Sequence, residues 1–130
     1  MLEISTREEF GNVDSWMEYL YIQKTQNELF KISIKVHIII DSIYEGHIID
    51  QFYNHEKEEY DFPKIINDHE VFSWDGDFLK STKLHDSVYH EALIINKNNY
   101  ENELQNWLKQ KKWDLNKGEI QKIQTYIQQH

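Results

Sequence analysis

The stretch FKISIKVHIII, residues 30–40, decides the fold because its apolar and polar side chains alternate. The apolar positions are Phe30, Ile32, Ile34, Val36, Ile38 and Ile40. The polar positions between them are Lys31, Ser33, Lys35 and His37. Since successive side chains of a strand point to opposite faces, this pattern predicts a β-strand with one buried face.

The residues before this strand are spaced as in a helix. Ser5 and Glu8 form a capping-box pattern, in which two side chains satisfy the first free amides of a helix. Apolar side chains then recur in steps of three and four, at Phe10, Val13, Trp16, Met17, Leu20 and Tyr21. The spacing predicts a helix over residues 7–27.

The residues after the strand predict a hairpin, another strand and two helices. Asp75 and Gly76 lie between two short apolar stretches, which is typical of a tight β-turn. Residues 87–95, SVYHEALII, predict a further strand. Capping boxes then predict two helices, one beginning near Asn98 and Glu101 and one near Asn116 and Glu119. The apolar stripes of these helices are Tyr100, Leu104, Trp107 and Leu108, and then Ile120, Ile123 and Ile127.

These elements together predict an α+β fold, with an antiparallel sheet packed by an N-terminal helix and a C-terminal helical pair. A chain of 130 residues is long enough for one hydrophobic core, so we expect a single α+β domain over residues 1–130. Residues 42–60 fit two alternatives. A capping box at residues 42–45 favours a helix, whereas Glu45 and Gly46 would also suit a hairpin turn.

Composition excludes several kinds of site. The chain has no cysteine, which excludes disulfides, thiol catalysis and cysteine-ligated metals. The amino terminus is acidic where a signal peptide would be basic, and the longest apolar stretch is too short to span a bilayer. We therefore expect a cytoplasmic protein with no cofactor and no membrane contact.

The middle third of the chain carries the whole net charge of −9. Residues 41–77 hold eleven acidic and two basic side chains, whereas residues 1–40 have a net charge of −2 and residues 78–130 of +2. A negative electrostatic field repels nucleic acid and attracts cationic partners. The sequence therefore predicts no direct binding of nucleic acid.

The same third is rich in aromatic side chains, which favours a protein-binding surface. Tryptophan and tyrosine dominate many interfaces, and flanking carboxylates select partners rich in arginine and lysine. The predicted partner-binding residues are Glu56, Glu58, Glu59, Tyr60, Asp61, Phe62, Trp74, Asp75 and Asp77. The leading hypothesis is a protein that neutralises a basic, nucleic-acid-handling partner. It would be an immunity protein or antitoxin against a nuclease toxin, or a phage-type inhibitor of a defence nuclease.

A second hypothesis is a small enzyme or ligand-binding domain built on residues 85–91. This segment contains His85, Asp86, His90 and Glu91. The two histidines are five residues apart, which suits neither a helical metal pair nor one face of a strand. We therefore predict neither a metal site nor a catalytic residue there. A third hypothesis is an oligomeric accessory protein with an apolar patch on its terminal helices.

Overall fold

The computed structural model of this chain describes residues 1–7, 15–40, 49–81 and 85–130. The strands in these ranges are β1 (Leu2–Arg7), β2 (Ser15–Gln26), β3 (Leu29–Ile40), β4 (Tyr53–Asn54), β5 (Glu59–Tyr60), β6 (Phe72–Asp75), β7 (Phe78–Ser81) and β8 (His85–Asn96). The helices are α1 (Lys64–Asp68), α2 (Glu101–Gln110) and α3 (Lys117–Gln129). None of these helices is long and apolar enough to cross a membrane.

The alternating stretch is the inner strand β3 of a four-stranded antiparallel sheet. The strand order is β1-β2-β3-β8, and β3 pairs without a bulge with β8 from Leu29 opposite Asn96 to Ile40 opposite His85. All six apolar side chains that the alternation selects are buried. The predicted strand over residues 30–40, the antiparallel sheet and the strand over residues 87–95 are confirmed.

The predicted N-terminal helix over residues 7–27 is wrong. The chain begins with β1 at Leu2, and β2 replaces most of the predicted helix and pairs with β3. The two strands are joined by Asn27 and Glu28, and Asn27 has a φ of 41°, which asparagine tolerates better than most residues. The start of the predicted helix, Arg7, is the last residue of β1, and residues 8–14 lie outside the described ranges.

The helix prediction failed because β2 carries large apolar side chains on both faces. Trp16, Leu20 and Ile22 are buried on the core face of the sheet. The opposite face carries Met17, Tyr19 and Tyr21, which are half-buried. Steps of four residues, such as Trp16 to Leu20, are therefore present in a strand too. Tyrosine, tryptophan and isoleucine favour strands, and a long partner in β3 is available for pairing.

The C-terminal helices cover the core face of the sheet, as predicted. Their buried side chains are Leu104 and Leu108 of α2 and Ile123 and Ile127 of α3, in the same core cluster as the residues of β3. The predicted capping box at Asn116 and Glu119 is present, with the side chain of each accepting a hydrogen bond from the backbone N–H of the other.

The predicted cap at Asn98 is wrong. Helix α2 begins after Tyr100, which makes no side-chain capping bond. The Asn98 amide donates instead to the Glu28 carboxylate at 2.8 Å, on the loop between β2 and β3. Asn98 therefore links the loop before α2 to the loop between β2 and β3. The spacing of residues along the sequence does not reveal this contact.

Two small hairpins lie between β3 and β8. The first, β4–β5, pairs Tyr53 with Tyr60, and the Asp61 N–H donates to the Phe52 carbonyl at 2.8 Å. The β4–β5 pairing makes residues 53–60 a hairpin, so the helix that was one alternative for residues 42–60 does not extend through them. Residues 49 and 50 are helical, and the predicted turn at Glu45 and Gly46 lies in residues 41–48, outside the described ranges. The second hairpin, β6–β7, is the predicted one, with a φ of 63° at Gly76.

Helix α2 ends in a Schellman motif that has a lysine where glycine is preferred. The Trp113 N–H donates to the Leu108 carbonyl at 2.9 Å, and the Lys112 N–H donates to the Lys109 carbonyl at 3.1 Å. Lys112 has a φ of 54°, in the left-handed region that costs a residue with a Cβ about 1–2 kcal/mol.

Lys112→Gly is therefore expected to raise the free energy of unfolding by about 0.5–1 kcal/mol, after allowance for the greater freedom of glycine in the unfolded chain. Urea unfolding measures the change. Lys112→Ala is the control, because it also removes the exposed ion pair with Asp61 but keeps the Cβ. Equal stability of the two variants would contradict the conformational explanation.

Candidate protein-binding surface

A continuous series of aromatic rings leads from the sheet to the two hairpins. Trp16 of β2 lies 4.4 Å from Phe52 between ring centroids, and Phe52 lies 5.2 Å from Phe62. Phe62 in turn stacks on Phe72 at 4.8 Å and on Tyr60 at 5.9 Å. The hairpins are therefore anchored to the main core, since aromatic pairs at these distances attract one another beyond their burial.

A groove with a volume of about 620 Å³ lies between the hairpins and is called the hairpin groove below. Its lining residues are Tyr53, Glu58, Glu59, Tyr60, Phe62, Asn67, Phe72, Trp74 and Leu79. The Tyr60 ring lies 5.0 Å from Tyr53 and 5.9 Å from Trp74 between centroids. The volume is in the range of ligand-binding pockets, and six of the nine lining residues are aromatic or aliphatic.

The charged lining of the hairpin groove is entirely negative. Glu58 and Glu59 are both exposed, and no lysine or arginine is among the groove's lining residues in the described part of the chain. A neighbouring groove of about 490 Å³ differs in this respect. Its charged lining is mixed and consists of Lys57, Glu59, Asp61, Lys109, Lys112 and Asp114. The hairpin groove is therefore the better candidate for binding a cation.

The β6–β7 hairpin has two different faces. Trp74 pairs with Leu79, and both side chains line the hairpin groove. Asp75 pairs with Phe78, and because side chains alternate along a strand, these two point to the opposite face. Trp74 and Phe78 are 61% and 79% exposed. One hairpin thus presents an exposed aromatic side chain on each face, but only Trp74 belongs to the groove.

The structure brings five of the nine predicted partner-binding residues to the hairpin groove. They are Glu58, Glu59, Tyr60, Phe62 and Trp74. Phe62 is only 6% exposed, so it packs beneath the groove and offers little surface to a partner.

The other four predicted residues lie outside the hairpin groove. Asp61 lines the neighbouring groove, where its Oδ1 is 3.2 Å from the Lys112 ammonium. Asp75 is on the far face of the β6–β7 hairpin, 3.3 Å from the Lys80 ammonium. Glu56 is in the β4–β5 turn and Asp77 is in the β6–β7 turn. The acidic third is therefore not one continuous negative surface, because two lysines from the C-terminal part of the chain, Lys80 and Lys112, pair with part of it.

The turn of the β4–β5 hairpin fixes the position of the two groove carboxylates. The Asn54 side-chain oxygen accepts hydrogen bonds from the N–H groups of Glu56 and Lys57, at 3.0 and 3.2 Å. This Asx turn orders the loop, and Glu58 completes it with a φ of 55°. Glu59 then begins β5, so the groove carboxylates come from the ordered end of a turn.

Helix α1 supplies the exposed Asn67 to the lining of the groove. The helix has only five residues, and its Lys64 ammonium donates to the Asp68 carboxylate at 2.8 Å. This hydrogen bond, four residues apart along the helix, is the main reason why the pKa of Asp68 lies below its usual value.

Sequence reasoning missed four residues of the hairpin groove, namely Tyr53, Asn67, Phe72 and Leu79. Two of them had a usable signal. Once Gly76 is taken as the turn, hairpin pairing places Leu79 opposite Trp74. Tyr53 is the partner of Tyr60 in a hairpin, but the favoured helix over this segment concealed the pairing. Asn67 and Phe72 come from separate elements, so spacing could not identify them.

The histidine-containing segment 85–91 is divided between the two faces of the sheet. The Asp86 carboxylate lies 2.5 Å from the His37 Nε2 on the outer face. Glu91 is opposite the buried Ile34 and pairs with the Lys111 ammonium at 2.5 Å on the helix side. In the described part of the chain, no group of three or more histidine, aspartate or glutamate side chains could hold a metal ion.

Comparison of this chain with models of protein families, with curated proteins and with solved structures gave no match.

Proposed function

We propose that this chain is a small acidic binding protein of the cytoplasm that neutralises a basic, nucleic-acid-handling protein. The proposed partner is a nuclease toxin, for which this chain would be the immunity protein or antitoxin, or a defence nuclease inhibited by a phage-type protein. The observation that carries the proposal is the hairpin groove, which combines the exposed Trp74 with the carboxylates of Glu58 and Glu59 and has no lysine or arginine among its described lining residues.

The proposed mechanism is occupation of the partner's phosphate-binding surface. Nucleases bind their substrates through lysine and arginine side chains, so a negative surface attracts them and speeds the encounter. The exposed Trp74 then adds apolar contact, which salt screens much less than it screens charge. Binding to such a surface would exclude nucleic acid without any catalytic residue on this chain.

The proposal is tested by capture of the partner followed by an activity assay. The wild-type chain is used as bait at low salt, about 50 mM, where exposed charges are screened least. The captured protein is identified, purified and assayed for nuclease activity. We expect a basic nuclease whose activity falls to zero when one equivalent of this chain is added.

Reversal of the groove charges is expected to abolish this inhibition. The double variant Glu58→Lys/Glu59→Lys places two like charges against the basic partner, which costs several kcal/mol and weakens affinity by roughly a hundredfold or more. The matched control is Glu101→Lys/Glu103→Lys, which makes the same change of net charge on exposed positions of α2. Circular dichroism checks that both variants are folded.

Three outcomes would contradict the proposal. An unchanged affinity of the groove variant would place the interface elsewhere on the chain. An equal loss in the control variant would mean that net charge, rather than the hairpin groove, attracts the partner. A captured partner without nuclease activity would remove the proposed biological role.

A further inference from the structure

The hairpin groove has the features of a site for one planar cationic side chain. Tyr53, Tyr60 and Trp74 contribute aromatic rings to it, and the carboxylates of Glu58 and Glu59 line the same space. Cations bind over aromatic faces because the ring quadrupole is negative there, and tryptophan is the strongest of the aromatic side chains in this respect. Carboxylates beside the rings add a direct charge partner.

We infer that the hairpin groove binds an arginine side chain of the partner, in preference to lysine. The inference rests on the proposed function in taking a basic protein as the source of this arginine. A guanidinium group is planar, so it stacks on an aromatic ring and can still donate two parallel hydrogen bonds to a carboxylate. The lysine ammonium is more strongly hydrated and lacks a flat face.

Charge complementarity selects this groove over the neighbouring one. A cation entering the hairpin groove meets Glu58 and Glu59 and no lysine among the lining residues. In the neighbouring groove it would meet Lys57, Lys109 and Lys112. Three carboxylates, from Glu59, Asp61 and Asp114, offset these lysines, so the lining of the neighbouring groove has no net charge to attract an arginine. The lining of the hairpin groove has a net negative charge and is the more favourable of the two.

Two aromatic residues of the groove, Tyr60 and Trp74, are held in position by contacts within the free chain. Tyr60 stacks on the buried Phe62 with an angle of 5° between the ring planes. Trp74 is held opposite Leu79 by the β6–β7 pairing. A preformed site loses less conformational entropy on binding than one that must order its side chains.

The test is a titration with three small probes that share the same backbone and differ in their side chains. The probes are the N-acetylated amides of arginine, lysine and citrulline, which is uncharged but similar in shape to arginine. Two-dimensional NMR follows the indole N–H of Trp74, which is assigned from the signal that disappears in Trp74→Phe. We expect saturable shifts with the arginine probe, roughly fivefold weaker binding of the lysine probe and no saturation with citrulline.

Neutral variants of the groove separate recognition from folding. Glu58→Gln/Glu59→Gln keeps the size of both side chains and is expected to weaken binding of the arginine probe about tenfold. The control Asp75→Asn/Asp77→Asn removes the same charge from the far face and the turn of the β6–β7 hairpin, and should leave the affinity within about twofold. Unchanged amide spectra away from the groove show that the fold is retained.

The outcomes distinguish this inference from the proposed function. Equal binding of arginine and lysine, saturable binding of citrulline, or equal weakening by both double variants overturns arginine recognition. If this happens while the Glu58→Lys/Glu59→Lys variant still fails to inhibit the captured nuclease, the proposed function stands without it. If the arginine probe binds as expected but no nuclease is captured, arginine recognition stands and the proposed function falls.

Discussion

Replacement of Trp16 with alanine is expected to lower the free energy of unfolding by about 3–5 kcal/mol, the usual cost of deleting a buried large aromatic side chain. Trp16 is 0% exposed and is the point at which the sheet meets the hairpins. Its ring contacts those of Phe52 and Phe72, at centroid distances of 4.4 and 6.4 Å. Truncation leaves a cavity beneath both hairpins that neighbouring rings cannot fill without leaving their own contacts.

Urea unfolding followed by far-ultraviolet circular dichroism measures this loss. The matched control is Trp74→Ala, the same substitution at a residue that is 61% exposed, which should change the stability by about 0.5 kcal/mol or less. Similar values for the two variants would mean that Trp16 is not in the core and that β2 does not have the orientation described here.

The sequence predicts the inner strand and fails on its neighbour for one physical reason. One face of β3 is apolar throughout and the other is polar at the four positions from Lys31 to His37, so a period of two fits it best. β2 is apolar on both faces, and steps of two, three and four all fit. The choice between helix and strand is then made by pairing with β3, a contact between residues distant in the chain. Local spacing contains no information about that pairing.

The composition of the candidate site was more predictable than its geometry. The concentration of carboxylates and aromatic rings in residues 41–77 predicted which part of the chain would contain the candidate site. It could not show that Asp61 pairs with Lys112, because these residues are 51 positions apart. It also could not show that Asp75 and Trp74 point to opposite faces, because that depends on the position of the turn at Gly76.

The second large effect is expected at Trp74, on binding rather than on folding. Trp74→Ala should weaken the affinity for the captured partner by roughly 30-fold or more, or about 2 kcal/mol, because exposed tryptophans inside a binding groove are frequent hot spots. Isothermal titration calorimetry with the purified partner gives the dissociation constants. Trp74→Phe keeps an aromatic face and should recover part of the loss.

The hairpin provides its own control for this prediction. Phe78 is more exposed than Trp74, at 79% against 61%, but it is opposite Asp75 on the face that points away from the hairpin groove. If exposed apolar area alone determined affinity, Phe78→Ala would cost at least as much as Trp74→Ala. If the groove binds the partner, Phe78→Ala should change the affinity by about threefold or less, since contacts at the periphery of an interface contribute little. A larger loss for Phe78→Ala would transfer the interface to the opposite face of the same hairpin, where Asp75 and Lys80 already neutralise each other.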